Sequence, residues 1–317
     1  MRRTSFTNDF SWSKSRHEKL QECLRAYYYY YYRSWGGWES GAPKDVRELY
    51  VLKKLGNRYA WAGSVVHDAI KDSLLDWRAG RAVEPAKVEA RARKLMQDDF
   101  RYSRGKGYWT QKYRKTFSGL VEHEYEEPVT DEAWKQNWET VRSALTWFFS
   151  SRWPALAQGL KPAQWLEVDA GADFSTFTLD GVKVFAIPDF AYVDADGSPV
   201  VVDWKTGKAR DGYDEQVLGY ALYVSQRYRL PLEKVRASLV YLNDGVEQQV
   251  QVDANAVEGF KGRFTQSVAR MRELLTDPAT NTPKGESAFP QTEELSSCTR
   301  CAFRRPCGRE AAAAKVA

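Results

Sequence analysis

An aspartate and a lysine stand two residues apart at the end of an apolar run. Residues 200–202 are all valine and lead into Asp203, Trp204 and Lys205. Such a run predicts a strand in the middle of a sheet, and alternate residues of a strand share a face, so Asp203 and Lys205 should lie side by side. A buried carboxylate and ammonium are unfavourable unless they pair or hold a ligand. On this spacing alone, a structural ion pair is the more ordinary interpretation.

A second carboxylate precedes this pair in the chain. Asp189 follows Pro188 in a segment predicted to form the preceding strand, and a hairpin would place it beside Asp203. Two carboxylates from adjacent strands form a site of hard oxygen ligands that suits Mg²⁺ or Mn²⁺. A bound divalent cation activates water and neutralises charge on a phosphate, and Lys205 could orient the water or stabilise the developing charge.

Four cysteines lie near the two ends of the sequence. Cys298, Cys301 and Cys307 are close together, and Cys23 is far from them in the chain. The sequence has no long apolar run and no signal-like start, so we expect a cytoplasmic protein without a membrane span. Disulfides are rare in that compartment, and the spacing favours a metal site instead. Four thiolates fit a zinc ion and a [4Fe–4S] cluster almost equally well.

Composition points to an anionic partner without requiring one. The 317 residues carry a net charge of +5 and include 12 Trp, 18 Tyr and 14 Phe. Aromatic rings can stack on bases, but they are also ordinary core residues.

The pattern along the chain predicts one α/β domain with a mixed central sheet. Helices are predicted over 13–32, 61–77, 214–229 and 254–275. Strands are predicted over 164–174, 175–179, 182–194, 199–205, 235–242 and 246–252. We divide the chain into an N-terminal helical part (1–80), a helical insertion (81–160), the sheet-containing core (161–275) and a cysteine-rich tail (276–317).

These residues together resemble the RecB-like nucleases of the PD-(D/E)XK superfamily. The resemblance is carried by Asp189, by Asp203-Trp204-Lys205, by His67 on an early apolar helix, and by Gln216 and Tyr220 on the helix that follows. It runs from about residue 11 to residue 307, although the insertion carries no motif. The family often has Glu where this chain has Asp203, and both are carboxylates.

The resemblance implies a restriction-endonuclease-like core and a role for each of these residues. His67, Asp189 and Asp203 would bind Mg²⁺ or Mn²⁺, and Lys205 would be the catalytic lysine. Gln216 and Tyr220, four apart on one helix face, would position the DNA strand or brace the site. Glu167 is a possible addition, although a solvated strand residue is the simpler interpretation.

The cysteine spacing resembles the iron–sulfur branch of these nucleases, which includes the AddB nuclease domain and CRISPR-adaptation exonucleases. This implies a [4Fe–4S] cluster that joins Cys23 to Cys298, Cys301 and Cys307 and so links the two ends of the chain. The expected function is a metal-dependent DNA nuclease, acting as an exonuclease on single strands or DNA ends. The alternative is a non-catalytic DNA-binding or scaffolding subunit of a helicase–nuclease or defence complex. The chain has no G-x₄-G-K-[ST] motif, so unwinding would require a helicase or CRISPR/defence partner.

A basic segment over residues 100–117 is the predicted DNA contact. It has no acidic residue, and cations alternate there with aromatic residues. Cations neutralise phosphates and aromatic faces stack on unpaired bases. A helical hairpin with core aromatics explains the pattern about equally well. The residues expected to contact DNA are Arg101, Arg104, Lys106, Trp109, Lys112 and Tyr113.

Overall fold

The computed structural model describes residues 7–110, 117, 119–169, 175–208 and 212–314. The strands are β1 (Ser11–Trp12), β2 (Trp165–Val168), β3 (Thr176–Leu179), β4 (Val182–Phe185), β5 (Phe190–Val193), β6 (Pro199–Lys205), β7 (Arg236–Tyr241), β8 (Val246–Val250), β9 (Leu275–Asp277) and β10 (Thr282–Pro283). The helices of the N-terminal half are α1 (Lys14–Glu22), α2 (Leu24–Tyr28), α3 (Lys44–Leu52), α4 (Arg58–Arg78), α5 (Pro85–Arg104), α6 (Gly107–Thr110), α7 (Val121–Glu124), α8 (Asp131–Ser150) and α9 (Trp153–Gly159). Those that follow are α10 (Tyr213–Tyr228), α11 (Ala254–Glu273), α12 (Ser296–Thr299) and α13 (Glu310–Ala313).

The central sheet has five strands in the order β2-β5-β6-β7-β8. Strands β6 and β7 are parallel, whereas the other neighbouring pairs are antiparallel, so the predicted mixed sheet is confirmed. Parallel neighbours need a crossover connection, and α10 provides it between β6 and β7. Helices α4, α10 and α11 begin and end within a few residues of their predicted bounds.

The two faces of the central sheet bury separate groups of apolar side chains. Val200, Val202 and Trp204 point to the face covered by α4, α8 and α9, whereas Val201 points to the face covered by α10 and α11. This alternation follows from the two-residue period of a strand. The predicted insertion is therefore partly a core layer, because Phe148 of α8 packs edge-on against Trp204 with ring centroids 5.5 Å apart.

A single strand over 182–194 was a wrong prediction. The segment forms β4 in a second sheet, of order β1-β4-β3, and then β5 in the central sheet. Pro188 lies in the break, and proline lacks the N–H that would continue the hydrogen-bonding ladder. The break leaves Asp189 just before the first residue of β5. The strand predicted over 164–174 is β2, and residues 170–174 lie outside the described part of the chain.

One continuous helix over 13–32 was also a wrong prediction. Cys23 interrupts it with an extended backbone (φ −164°, ψ 118°), and α2 then passes into a π-helix over Tyr29–Arg33. The interruption turns the Cys23 side chain towards the C-terminal tail. Among the described residues, no helix is both long and apolar enough to cross a membrane.

Candidate functional site

Three elements bring the predicted metal ligands together at one end of β6. Strands β5 and β6 pair with Phe190 opposite Val202, so Asp189 and Asp203 are neighbours across the ladder. Asp189 Oδ2 accepts a hydrogen bond from the Trp204 backbone N–H at 2.8 Å. Helix α4 packs over this end of the sheet and places His67 Nδ1 3.1 Å from Asp189 Oδ1. We call His67, Asp189, Asp203 and Lys205 the carboxylate site.

Asp203 and Lys205 lie side by side, as the strand period predicts. Asp203 is only 1% exposed, and Lys205 Nζ lies 2.5 Å from its Oδ2 atom. Burial is the main reason that the pKa of Asp203 rises to about 6, and the charge of Asp189 raises it further. The positive charges of Lys205 and His67 act in the opposite direction. The site therefore balances two carboxylates against its own cations.

His67 is the second cation of this balance. Burial alone would lower its pKa, but the charge and hydrogen bond of Asp189 outweigh burial and raise the pKa to about 9. In the arrangement described, a protonated His67 is thus a counterion of Asp189. To act as a metal ligand it must give up this proton, which a bound cation favours because metal ligands bind deprotonated.

Helix α10 supplies the support for Lys205. Lys205 Nζ donates to Gln216 Oε1 at 2.9 Å, and Gln216 Nε2 donates to the Tyr220 hydroxyl at 2.5 Å. Of the two predicted residues of α10, Gln216 therefore contacts Lys205 directly, and Tyr220 contacts Gln216. The Lys205 ammonium also lies 4.2 Å from the centre of the Tyr213 ring, a contact that the sequence reading missed. Tyr213 lies three residues before Gln216, a helical spacing that could have indicated it.

A further acidic residue lies beside the site. The Asp169 backbone N–H donates to the Asp189 carbonyl at 3.2 Å, and Lys71 Nζ donates to Asp169 Oδ2 at 3.0 Å. Lys71 lies one helical turn after His67 on α4, and this spacing could have indicated from the sequence that Lys71 lies near the site. Glu167 does not join the site and is not simply solvated, because its carboxylate accepts hydrogen bonds from two tyrosine hydroxyls of α10, Tyr223 and Tyr228.

The donor set of the carboxylate site fits a divalent cation by its chemistry. Most of its ligand atoms would be carboxylate oxygens, which Mg²⁺ and Mn²⁺ prefer, with one imidazole nitrogen in addition. The buried Oδ2 atom of Asp203 contacts the Lys205 ammonium, and no other described residue donates a hydrogen bond to it. In the described parts of the chain, no three His, Cys, Asp or Glu side chains stand close enough to hold a metal ion as they are. Binding would therefore need adjustment of these side chains.

All four cysteines line one small cavity of about 20 Å³ between α1–α2 and the C-terminal tail. Burial is the main cause that raises the pKa of Cys298, Cys301 and Cys307, with that of Cys301 reaching about 11, and the proximity of Cys23 raises all three further. The thiols are free. A donor set made only of sulfur fits zinc or an iron–sulfur cluster. A cavity of this size holds about one water molecule, so a [4Fe–4S] cluster would need the thiols to move outwards.

The described helical residues of the basic segment lie on α5 and α6. Arg101 pairs with Asp98, Lys106 pairs with Glu126, and the indole N–H of Trp109 donates to Glu124 at 2.8 Å. Arg104 is exposed. Lys112 and Tyr113 lie outside the described residues. Of the neighbouring aromatic residues, Tyr102 and Tyr108 are buried in a core cluster that also contains Phe303 of the tail.

A mixed sheet that carries two carboxylates and a lysine at the end of adjacent strands is the arrangement of a restriction-endonuclease-like hydrolase core. The sequence model of the PD-(D/E)XK nuclease superfamily matches residues 11–308, and the chain belongs to this superfamily. Pro188-Asp189 and Asp203-Trp204-Lys205 fit the motif from which the superfamily takes its name. No curated protein sequence matches the chain significantly.

Proposed function

We propose that this protein is a metal-dependent DNA nuclease whose reaction takes place at the carboxylate site. The observation that carries the proposal is the buried contact between Asp203 and Lys205 beside Asp189. Asp189, Asp203 and a deprotonated His67 would hold Mg²⁺ or Mn²⁺. When bound, the cation would supply activation of water and neutralisation of phosphate charge.

The other residues of the site have positioning and electrostatic roles in this proposal. Lys205 is held from two sides, by the Asp203 carboxylate and by the Gln216 amide oxygen. An ammonium fixed in this way is preorganised to stabilise negative charge that develops on a phosphate. Gln216 and Tyr220 hold Lys205 in place and are positioning residues.

We further propose that the substrate is single-stranded DNA or DNA with free ends, cut as an exonuclease. The resemblance to RecB-like nucleases and the net charge of +5 support this choice. A helicase or a CRISPR/defence protein is the proposed partner, because the sequence has no phosphate-binding motif for driving unwinding itself.

The cysteine cavity is proposed to hold a [4Fe–4S] cluster. Convergence of Cys23 with the three tail cysteines supports a four-thiolate centre, and the choice of iron over zinc rests on the resemblance. Anaerobically purified protein should be brown and contain about four iron and four sulfide per chain. Stoichiometric zinc in protein made with ample iron and without oxygen would contradict this proposal.

The nuclease proposal is tested with end-labelled single and double strands in Mg²⁺, Mn²⁺ and EDTA. Asp203→Asn should lose at least about 100-fold in cleavage rate and keep DNA binding. Asp194→Asn is the matched control, because it makes the same chemical change after the other end of β5, where Asp194 pairs with Arg236 at the surface. Equal cleavage by Asp203→Asn and the parent would refute the proposed site.

A further inference from the structure

A groove of about 630 Å³ lies between the N-terminal helices and the wall formed by β4 and α10. Its volume lies in the range of about 300–1,000 Å³ typical of ligand-binding clefts. We call it the N-terminal groove. The lining residues that matter for its function are Tyr30, Tyr31, Trp35, Lys53, Gln216 and Tyr220.

The N-terminal groove adjoins the carboxylate site. Gln216 lines the groove, and the same side chain accepts a hydrogen bond from Lys205 Nζ. Ile187 lines the groove as well, two residues before Asp189. A molecule in the groove would therefore touch the residues that hold the catalytic lysine.

One wall of the groove carries an ammonium with no carboxylate partner in the described part of the chain. Lys53 is partly buried and forms no ion pair with an acidic side chain among the described residues. Its Nζ donates a hydrogen bond to the Tyr30 carbonyl at 3.4 Å. Burial, with the charge of Lys54, lowers the pKa of Lys53 to about 8. Lys14 in the same groove differs, because it pairs with Glu215 at 2.7 Å. An anion from outside the chain would relieve the unfavourable environment of Lys53.

The same wall presents aromatic rings. Trp35 is 38% exposed, and its ring is held edge-on by Trp38 at a centroid distance of 5.0 Å. Tyr30 and Tyr31 stand next to it with ring centroids 4.8 Å apart, and the Lys53 ammonium lies 5.6 Å from the Tyr30 ring centre. Fixed rings beside a cation bind a strand whose bases are unpaired, because every base has a face to stack. Bases of a duplex are already stacked on each other and cannot reach such rings.

We propose that the N-terminal groove is the path by which a single strand of nucleic acid reaches the carboxylate site, with Lys53 against a phosphate and Tyr30 and Trp35 against unpaired bases. The proposal rests on the proposed nuclease function for the role of the strand. It differs from the contact predicted on the basic segment, where Arg101, Lys106 and Trp109 already have acidic partners within the chain.

The test measures binding by fluorescence anisotropy on the full chain, in EDTA so that no cleavage occurs. The probes are fluorescein-labelled oligothymidine and a blunt hairpin duplex. Lys53→Met and Trp35→Ala should each weaken oligothymidine binding about tenfold, while duplex binding changes little. Lys53→Met should also reduce the slope of log K against log salt by about 0.7, and Trp35→Ala should leave that slope unchanged.

Lys87→Met, at an exposed ion pair with Glu84, and Tyr59→Ala, at an exposed ring, are the matched controls outside both proposed DNA contacts and should bind oligothymidine as the parent does. Unchanged binding by both groove variants would overturn the proposal, and so would a loss confined to the two control variants. Equal losses on the duplex would overturn the single-strand assignment. Melting temperatures close to the parent value verify that each variant is folded.

Failure of this proposal can be separated from failure of the proposed function. If the protein cleaves DNA but the groove variants bind oligothymidine normally, the proposed strand path is wrong and the nuclease proposal stands. If the groove variants lose binding but the parent cleaves nothing in either metal, the nuclease proposal fails and the groove stands as a binding site.

Discussion

The carboxylate site and the cysteine cavity are both buried clusters of ligand atoms, but they differ in how they balance charge. Asp189 and Asp203 face a histidine and a lysine of the same chain. Burial is the main cause that raises the pKa values of the Cys298, Cys301 and Cys307 thiols, so these three stay neutral without an ion. The carboxylates of the first site are therefore balanced by cations of the chain before any ion arrives, and only His67 would have to lose a proton. In the second site the thiols themselves would have to lose their protons to bind one.

The two sites also differ in how far the surrounding elements depend on a bound ion for their packing. The carboxylate site lies on the central sheet, where β5, β6 and α10 would pack with or without an ion. The cysteine cavity joins α1–α2 to a tail whose described elements, α12 and α13, have only four residues each. Helices this short are not stable in isolation. We therefore expect loss of an ion from the carboxylate site to impair catalysis, and loss of an ion from the cysteine cavity to impair folding.

The largest expected effect tests the cysteine side of this comparison. Cys301→Ser should destabilise the protein by more than about 4 kcal/mol, the range reached when a structural metal is lost. Urea unfolding and iron content measured on the same samples would show both losses together. Ser297→Ala is the matched control, because Ser297 lines the same cavity without a thiol. A stable, iron-free Cys301→Ser protein would break the comparison.

The next effect tests the carboxylate side. Lys205→Met should slow cleavage by about 100-fold, since removing one preorganised charge costs this much in other hydrolases. The urea midpoint should fall by less than in Cys301→Ser. Asp203 loses its buried ammonium partner, but His67 remains beside the two carboxylates and the sheet keeps its packing. Lys261→Met, at an exposed ion pair with Glu258, is the control for loss of a lysine charge. If Lys205→Met unfolds the protein instead, the lysine is a structural counterion and the two sites are alike.

The smallest effect concerns a polar group that has neither an internal counterion nor a bound ion. His123 stacks on Trp134 with ring centroids 5.0 Å apart, and its Nδ1 lies 2.8 Å from the Ser103 hydroxyl. Burial, with the charge of Arg104, lowers its pKa from 6.5 to about 4. The unfolded chain therefore binds the proton more readily, and stability should fall as pH drops from 6.5 towards 4.

This contribution amounts to less than about 1 kcal/mol per pH unit, because the ring is partly solvated. In His123→Phe the dependence of the unfolding free energy on pH should be shallower over that window. Urea titrations at several pH values, on parent and variant, measure the two slopes. Identical slopes would show that His123 does not titrate during unfolding.

The sequence allowed the contact between Asp203 and Lys205 to be predicted because the information is local. Asp203 and Lys205 share a face through the strand period, and a short connection brings Asp189 beside them. The contacts of Tyr213 and Lys71 were missed although their helical spacing offered a signal. That of Asp169 was missed because it depends on the pairing of β2 with β5.

Long-range packing explains one of the two wrong element predictions. No residue near Cys23 in the sequence indicates a helix break. The cysteines that Cys23 meets in the fold lie more than 270 residues later in the chain. The strand that was split at Pro188 could have been foreseen from the proline. The N-terminal groove was beyond prediction, because its walls come from residues 30–54 and 184–220, which meet only in the folded chain. The contact predicted on the basic segment remains a prediction.

Strand β1 has a consequence for the order in which the protein folds during synthesis. It pairs in parallel with β4, and the Trp12 indole N–H donates to the Ser267 hydroxyl, 255 residues later. A ribosome adds about 5–20 residues per second, so the N-terminal strand waits more than about ten seconds for its last partner. During that time the apolar side chains around Trp12 and Tyr27 have no native cover. Nascent chains of this protein should therefore depend on chaperones that bind exposed N-terminal segments until release.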